Sequence, residues 1–147
     1  MTSAASGQLY FVDAFPDGIP GEMLKVTETL ALDSSIDNPS YFEDKYATST
    51  DDKSGIVLAG LSRAVDTTKL KKDIKTPLGT IVWHVTKNGK GEWTKRVLFE
   101  DDGSRISGAA TAVVLPIDPA KEGGKKKGWL WITGFLSESM VAVKVDL

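Results

Sequence analysis

Short runs of β-branched and aromatic residues recur along this chain, each closed by Gly, Pro, Asn or Asp. Such punctuation leaves little room for helices of ordinary length, and strands joined by brief turns pair antiparallel with their chain neighbours. The pattern predicts nine strands, near Gln8–Ala14, Met23–Leu32, Pro39–Glu43, Gly55–Leu61, Thr80–Thr86, Thr94–Glu100, Ala109–Leu115, Gly128–Thr133 and Met140–Asp146.

The run Thr80-Ile-Val-Trp-His-Val places Ile81, Trp83 and Val85 on one side and Val82 and His84 on the other, so both faces are expected to be covered. Asn88-Gly89 and Lys90-Gly91 turn it into Glu92-Trp-Thr-Lys-Arg-Val-Leu-Phe, which predicts a hairpin over residues 80–100. Residues 8–32 repeat the design around a Pro16-Asp17-Gly18 turn, and two similar hairpins suggest repeated units. Val65–Lys75 reads instead as one or two helical turns capped by Asp66 or Thr67 and stopped before Pro77. Lys45–Ser54 and Pro119–Lys127 read as polar loops, with Lys125-Lys126-Lys127 a solvated turn rather than an anion patch.

Composition narrows the function classes. Of 147 residues, 41% are hydrophobic and 26% charged, which suits a globular domain and argues against disorder. Eighteen basic against twenty acidic residues give a net charge of -2, too little field to recruit nucleic acid or an anionic membrane, and no stretch reads as a membrane span. The absence of cysteine excludes disulfides, thiolate zinc sites and a cysteine nucleophile. No secretory leader is visible in Met1–Tyr10, which leaves localisation open. Neither a G-x-S-x-G elbow nor a nucleotide-binding glycine pattern occurs.

Ser35-Ile-Asp-Asn, at the start of a strand, resembles the hydrophobic-Asp-Asn motif of the paraoxonase-like family of calcium-dependent six-bladed β-propellers, related to the SMP-30/gluconolactonase-like proteins. The similarity continues through Thr80–Leu98, through Glu100-Asp-Asp-Gly-Ser-Arg-Ile-Ser-Gly-Ala-Ala-Thr-Ala-Val-Val, and through Gly128-Trp-Leu-Trp-Ile-Thr-Gly-Phe and Met140–Leu147. This resemblance implies an all-β fold, a partial six-bladed propeller of about two and a half blades. Residues 8–32 would be the outer strands of one blade, 33–104 a full blade and 105–147 the last blade, lacking its outermost strand. A closed ring of this kind needs roughly twice this length, so the chain is expected to be the C-terminal part of one.

In that family the Asp and Asn face the central tunnel and coordinate a catalytic Ca2+. The resemblance therefore makes Asp37 and Asn38 metal ligands, and lactones or aryl esters the substrates. Read without it, Asp37-Asn38 before Pro39 is an Asx-type turn ahead of a strand. Ser107-Gly108-Ala109-Ala110-Thr111 opens a strand at the expected centre, which makes Ala110 a candidate pocket residue, as Phe135 is for an apolar wall; small residues also simply fit a crowded centre. His84, the only histidine, lies mid-strand and away from the expected tunnel, and reads as structural. No catalytic residue is assigned within the chain. Two functions follow: part of a calcium-dependent hydrolase, inactive without its upstream blades, or a non-catalytic module that binds those blades or itself.

Overall fold

The two most continuous apolar runs, Gly55–Leu61 and Thr80–Lys87, offer water few polar positions, and strands of that kind must be covered on both faces. In the structure, a computed structural model, they are the two central strands of a four-stranded sheet. It describes residues 1–147 except 20–22, 72 and 74, and of 69–71 the backbone alone. Ten strands form three antiparallel sheets, and the described residues contain no α-helix. The first sheet is β1 (Thr2–Ser3), β2 (Gln8–Ala14) and β3 (Leu24–Ala31). The middle sheet is β4 (Ser35–Phe42), β5 (Gly55–Leu61), β6 (Thr80–Lys87) and β7 (Trp93–Asp101). The last is β8 (Ala109–Ile117), β9 (Lys127–Gly134) and β10 (Val141–Asp146). Every strand pairs antiparallel with its chain neighbour inside its sheet.

The middle sheet is sandwiched. On one side Phe42, Val57, Ala59 and Val82 meet Ile106, Ala109, Ala112, Val114, Leu130 and Ile132 of the last sheet and the segment leading into it. On the other, Ile36, Leu58, Ile81, Trp83 and Val85 meet Leu9 and Leu32 of the first sheet and its exit. The alternation expected in β6 is therefore observed, with Ile81, Trp83 and Val85 on one face and Val82 on the other. β9 shows the opposite regime: Trp129 and Trp131 are exposed while Leu130 and Ile132 are wholly buried, the mark of a sheet covered on one face only.

The nine expected strands are all present, with three adjustments. β1 is additional, since two residues carry no readable period. β4 starts at Ser35 rather than Pro39, because a bulge interrupts its alternation where the sequence reads as a turn. The helical segment is a 3₁₀ helix over Ala64–Lys71 that begins ahead of both expected caps; Asp66 lies in its first turn, and Thr67 bonds back to the Ala64 carbonyl. The remainder of that predicted segment includes Lys72 and Ile74, which lie outside the described residues. The loop after β8 contains a 3₁₀ turn, Pro119–Glu122, whose cap Asp118 accepts from the Ala120 N–H.

Both predicted hairpins form. Between β6 and β7, the Asn88 side-chain oxygen accepts from the N–H groups of Lys90 and Glu92, and Gly91 takes φ 81°. Between β2 and β3, the Gly18 N–H donates to the Phe15 carbonyl across the Pro16-Asp17 turn. The middle sheet thus fixes where β4 and β8 lie: each is the first strand of its sheet, and the two run side by side. The Ser40 hydroxyl donates to the Ala112 carbonyl at 2.6 Å across that seam.

Candidate functional site

β4 and β8 each carry one residue too many for their partners, at the same end of the stack. In β4, Ile36 faces Gly60 and Pro39 faces Leu58, so Asp37 and Asn38 share the single residue Ala59 opposite them. In β8, Ala109 faces Gly134 and Thr111 faces Thr133, so Ala110 has no counterpart. A bulge bends its strand and re-aims the side chains at that point. The β4 bulge also draws the strands together: a Cβ on Gly60 would stand 1.9 Å from the Ser35 carbonyl oxygen, so only glycine fits.

The two bulges meet. Asn38 Nδ2 donates to Thr111 Oγ1 at 3.2 Å, next to Ala110. Phe135 reaches the same strand start: its N–H donates to the Gly108 carbonyl at 2.9 Å, and its ring covers Gly108, where φ is +65° and a Cβ would lie 2.6 Å from the ring. Asp37 is half-buried, and its carboxylate has no hydrogen-bond or ion-pair partner among the described residues. The structure therefore brings Asn38 and Thr111 into contact and sets Ala110 between Thr111 and the Phe135-covered Gly108. Ser107 is already committed, its hydroxyl accepting from the Leu78 N–H and its N–H donating to Ser137 Oγ.

Asp37 and Asn38 suit a hard cation chemically, since both offer oxygen. With Asn38 Nδ2 turned to Thr111, they supply at most about three such atoms, whereas calcium takes about six to eight. No group of three or more His, Cys, Asp and Glu side chains able to hold a metal occurs among the described residues. These two residues do not make a calcium site by themselves.

His84 lies outside this cluster. It is 2% exposed, set edge-on to Phe42 with ring centroids 5.9 Å apart, and its Nε2 has no partner. Burial foremost, with the positive charge of Arg96, lowers its pKa from 6.5 to about 4, so it is neutral near pH 7. A neutral imidazole walled in by packing has neither the access nor the affinity for protons that a general base needs.

One charged feature is not legible in the sequence. Lys126, expected to be solvated, instead enters the space between two loops at the opposite end of the stack and bonds Asp44 Oδ2 at 2.7 Å. Lys126 also donates to the Asp51 carbonyl. Asp44 further accepts from the N–H groups of Tyr46 and Lys53. Burial pushes the Asp44 carboxyl up, but the Lys126 ammonium and those two N–H groups outweigh it and hold the group below its ordinary value. Lys125 does remain exposed, as the solvated-turn reading has it.

What the geometry defines is an architecture: an all-β protein of three stacked antiparallel sheets, in which the first strands of the middle and last sheets meet at one bulged end. Compared with protein-family models, curated proteins and solved structures, the chain matches none. None of its helices is long and apolar enough to cross a membrane, among the described residues.

Proposed function

We propose that the chain is part of a six-bladed β-propeller hydrolase of the calcium-dependent lactonase and arylesterase type, contributing Asp37 and Asn38 to a central site and hydrolysing nothing alone. The observation that carries this reading is the paired bulge. Asp37-Asn38 and Ala110 interrupt the first strands of adjacent sheets at one level, where a propeller's innermost strands line its tunnel. The Asn38–Thr111 bond ties the two together, and Ala110 with Phe135 would wall the acyl or leaving group of a lactone or ester. The oxygen count at Asp37 and Asn38 demands further donors, which neighbouring blades would supply.

The second reading, a non-catalytic module that completes a ring, draws on the last sheet. Val113 faces Trp131 and Leu115 faces Trp129 across β8 and β9, all four exposed on the side away from the middle sheet. An apolar surface of that kind suits a further sheet packed as the first two interfaces are.

Calorimetric calcium titration of the purified chain, with an aryl-ester assay and sedimentation alongside, separates the readings. The chain alone is expected to bind calcium no tighter than millimolar and to show no turnover. With the remaining blades supplied, both appear, and Asp37→Asn removes both. Tight binding and turnover by the isolated monomer would overturn the hydrolase-part reading. Assembly that leaves calcium binding indifferent to Asp37→Asn would favour the module.

A further inference from the structure

Asn or Asp precedes glycine at three places in the chain, Asp17-Gly18, Asn88-Gly89 and Asp102-Gly103. Such pairs are reactive because glycine, having no Cβ, lets its peptide nitrogen reach the preceding side-chain carbonyl carbon and close a cyclic imide. The structure separates the three. The Gly18 N–H is donated to the Phe15 carbonyl at 2.9 Å, and the Gly103 N–H to Asp101 Oδ2 at 2.9 Å, so both nitrogens are engaged elsewhere. The Gly89 N–H has no acceptor among the described residues, and nothing stands within 4 Å of a Cβ built on Gly89. Asn38, the other asparagine, precedes Pro39, whose nitrogen carries no proton to lose.

The Asn88 side chain is held as such a reaction requires. Its Oδ1 accepts from the Lys90 N–H at 2.9 Å and from the Glu92 N–H at 3.0 Å, while Nδ2 donates to Glu92 Oε2 at 2.9 Å. Attack on Cγ moves negative charge onto Oδ1, where two donors already point, and preorganised donors of that kind lower the barrier. The turn also stands next to a contact that matters to the fold. The last rung of the hairpin pairs Lys87 with Trp93, and both side chains reach Glu28 of β3. Lys87 Nζ lies 3.5 Å from Glu28 Oε1, Trp93 Nε1 donates to Glu28 Oε2 at 2.5 Å, and Phe11 of β2 stacks on Trp93.

We propose that Asn88 is a site of spontaneous deamidation, and that its conversion loosens the first sheet from the middle one. The Gly89 nitrogen loses its proton to solvent base and bonds to Asn88 Cγ; the Cγ–Nδ2 bond breaks, and that nitrogen leaves as ammonia. Water then opens the cyclic imide at either carbonyl, giving aspartate or, with the chain rerouted through Cγ, isoaspartate. Neither oxidant nor cofactor takes part. Aspartate sets a carboxylate oxygen where Nδ2 had donated, against Glu92 Oε2, and like charges so placed repel. Isoaspartate takes out of the main chain the carbonyl that accepts from the Gly91 N–H, and shifts the rung in which the Asn88 N–H donates to the Glu92 carbonyl. Either product disturbs the turn beside Lys87 and Trp93, and with it their hold on Glu28. The inference stands on this turn alone, and holds whether or not the stack belongs to a propeller.

The test incubates the full chain in mildly alkaline buffer, folded and unfolded in guanidinium chloride, and follows each Asx-Gly pair by peptide mass mapping with isoaspartate detection. Asn88 is expected to convert in the folded chain at least as fast as in the unfolded one, and several-fold faster than isoaspartate forms at Asp17 or Asp102. Gly89→Ala, which the open space accepts, should slow conversion several-fold while the β8–β9 amides stay protected. Converted protein should exchange its β2 and β3 amides several-fold faster than the parent and its β9 amides at the parent rate. Asn88 that survives in the folded chain but converts in the unfolded one, a rate indifferent to Gly89→Ala, or converted protein with unaltered β2 and β3 exchange would each overturn the proposal.

Discussion

The middle sheet makes two interfaces, and they are built differently. Toward the last sheet the contact is mostly aliphatic and closed: Leu130 and Ile132 have no exposure, and Thr80 Oγ1 both donates to the Ile106 carbonyl and accepts from the Ala109 N–H. Arg96 reaches the Asp146 carbonyl, and Lys126 with Asp44 clamps the far end. Toward the first sheet the contact is aromatic and part-open. Phe11 stacks on Trp93 with centroids 4.1 Å apart, Trp83 Nε1 donates to Ser34 Oγ, and β3 is exposed along nearly its whole length. Apolar stabilisation follows area withdrawn from water, so the first interface to open under stress is the one with the first sheet. The candidate site lies on the closed side, where Asn38 meets Thr111, which keeps the bulged residues in place while the first sheet breathes.

Paired truncations give the largest effect. Leu130→Ala is expected to cost about 3–4 kcal/mol in urea unfolding, because a wholly buried site in a close-packed interface collapses poorly. Phe11→Ala, at the part-open interface, should cost about 1–2 kcal/mol, with the loss confined to the first sheet. Equal costs would break the contrast.

Acid probes the closed interface next. His84 binds its proton near pH 6.5 when unfolded and near pH 4 when folded. Stability from its neutral form is complete above 6.5, falls as pH drops to about 4, and is level below that, a loss on the order of 3 kcal/mol. His84→Leu should flatten urea midpoints across that window; an unchanged slope would place the imidazole in contact with water.

Asp44→Ala should remove about 1–2 kcal/mol by leaving the Lys126 ammonium with only the exposed Asp51 for a partner. With its carboxyl held below 3.8, the pair stabilises above that value and is lost as pH falls through the lower folded pKa, a window distinct from that of His84. Loss of this pair is expected to raise exchange in loops 43–54 and 118–126 while sparing β2 and β3.

Periodicity made much of this architecture legible beforehand. β6 alternates between two apolar sets because both of its faces are packed, and the Asn88–Gly91 turn announces its hairpin by residue type. The bulges were not legible, since an unpaired residue is a property of two strands at once. Asp37 and Asn38 came from motif similarity and Ala110 from small size, neither of which reveals that Asn38 and Thr111 would touch. Lys126 was misread because its partner stands 82 positions away, in a loop with no pattern of its own. β1 escaped notice because two residues have no period.

Residue-resolved amide exchange on the intact chain under native conditions tests the asymmetry most directly. Amides of β6, β8 and β9 should exchange only through global unfolding, and those of β2 and β3 through a smaller opening that leaves the other two sheets protected. Uniform protection across all three sheets, or slower exchange in β2 and β3 than in β9, would contradict it.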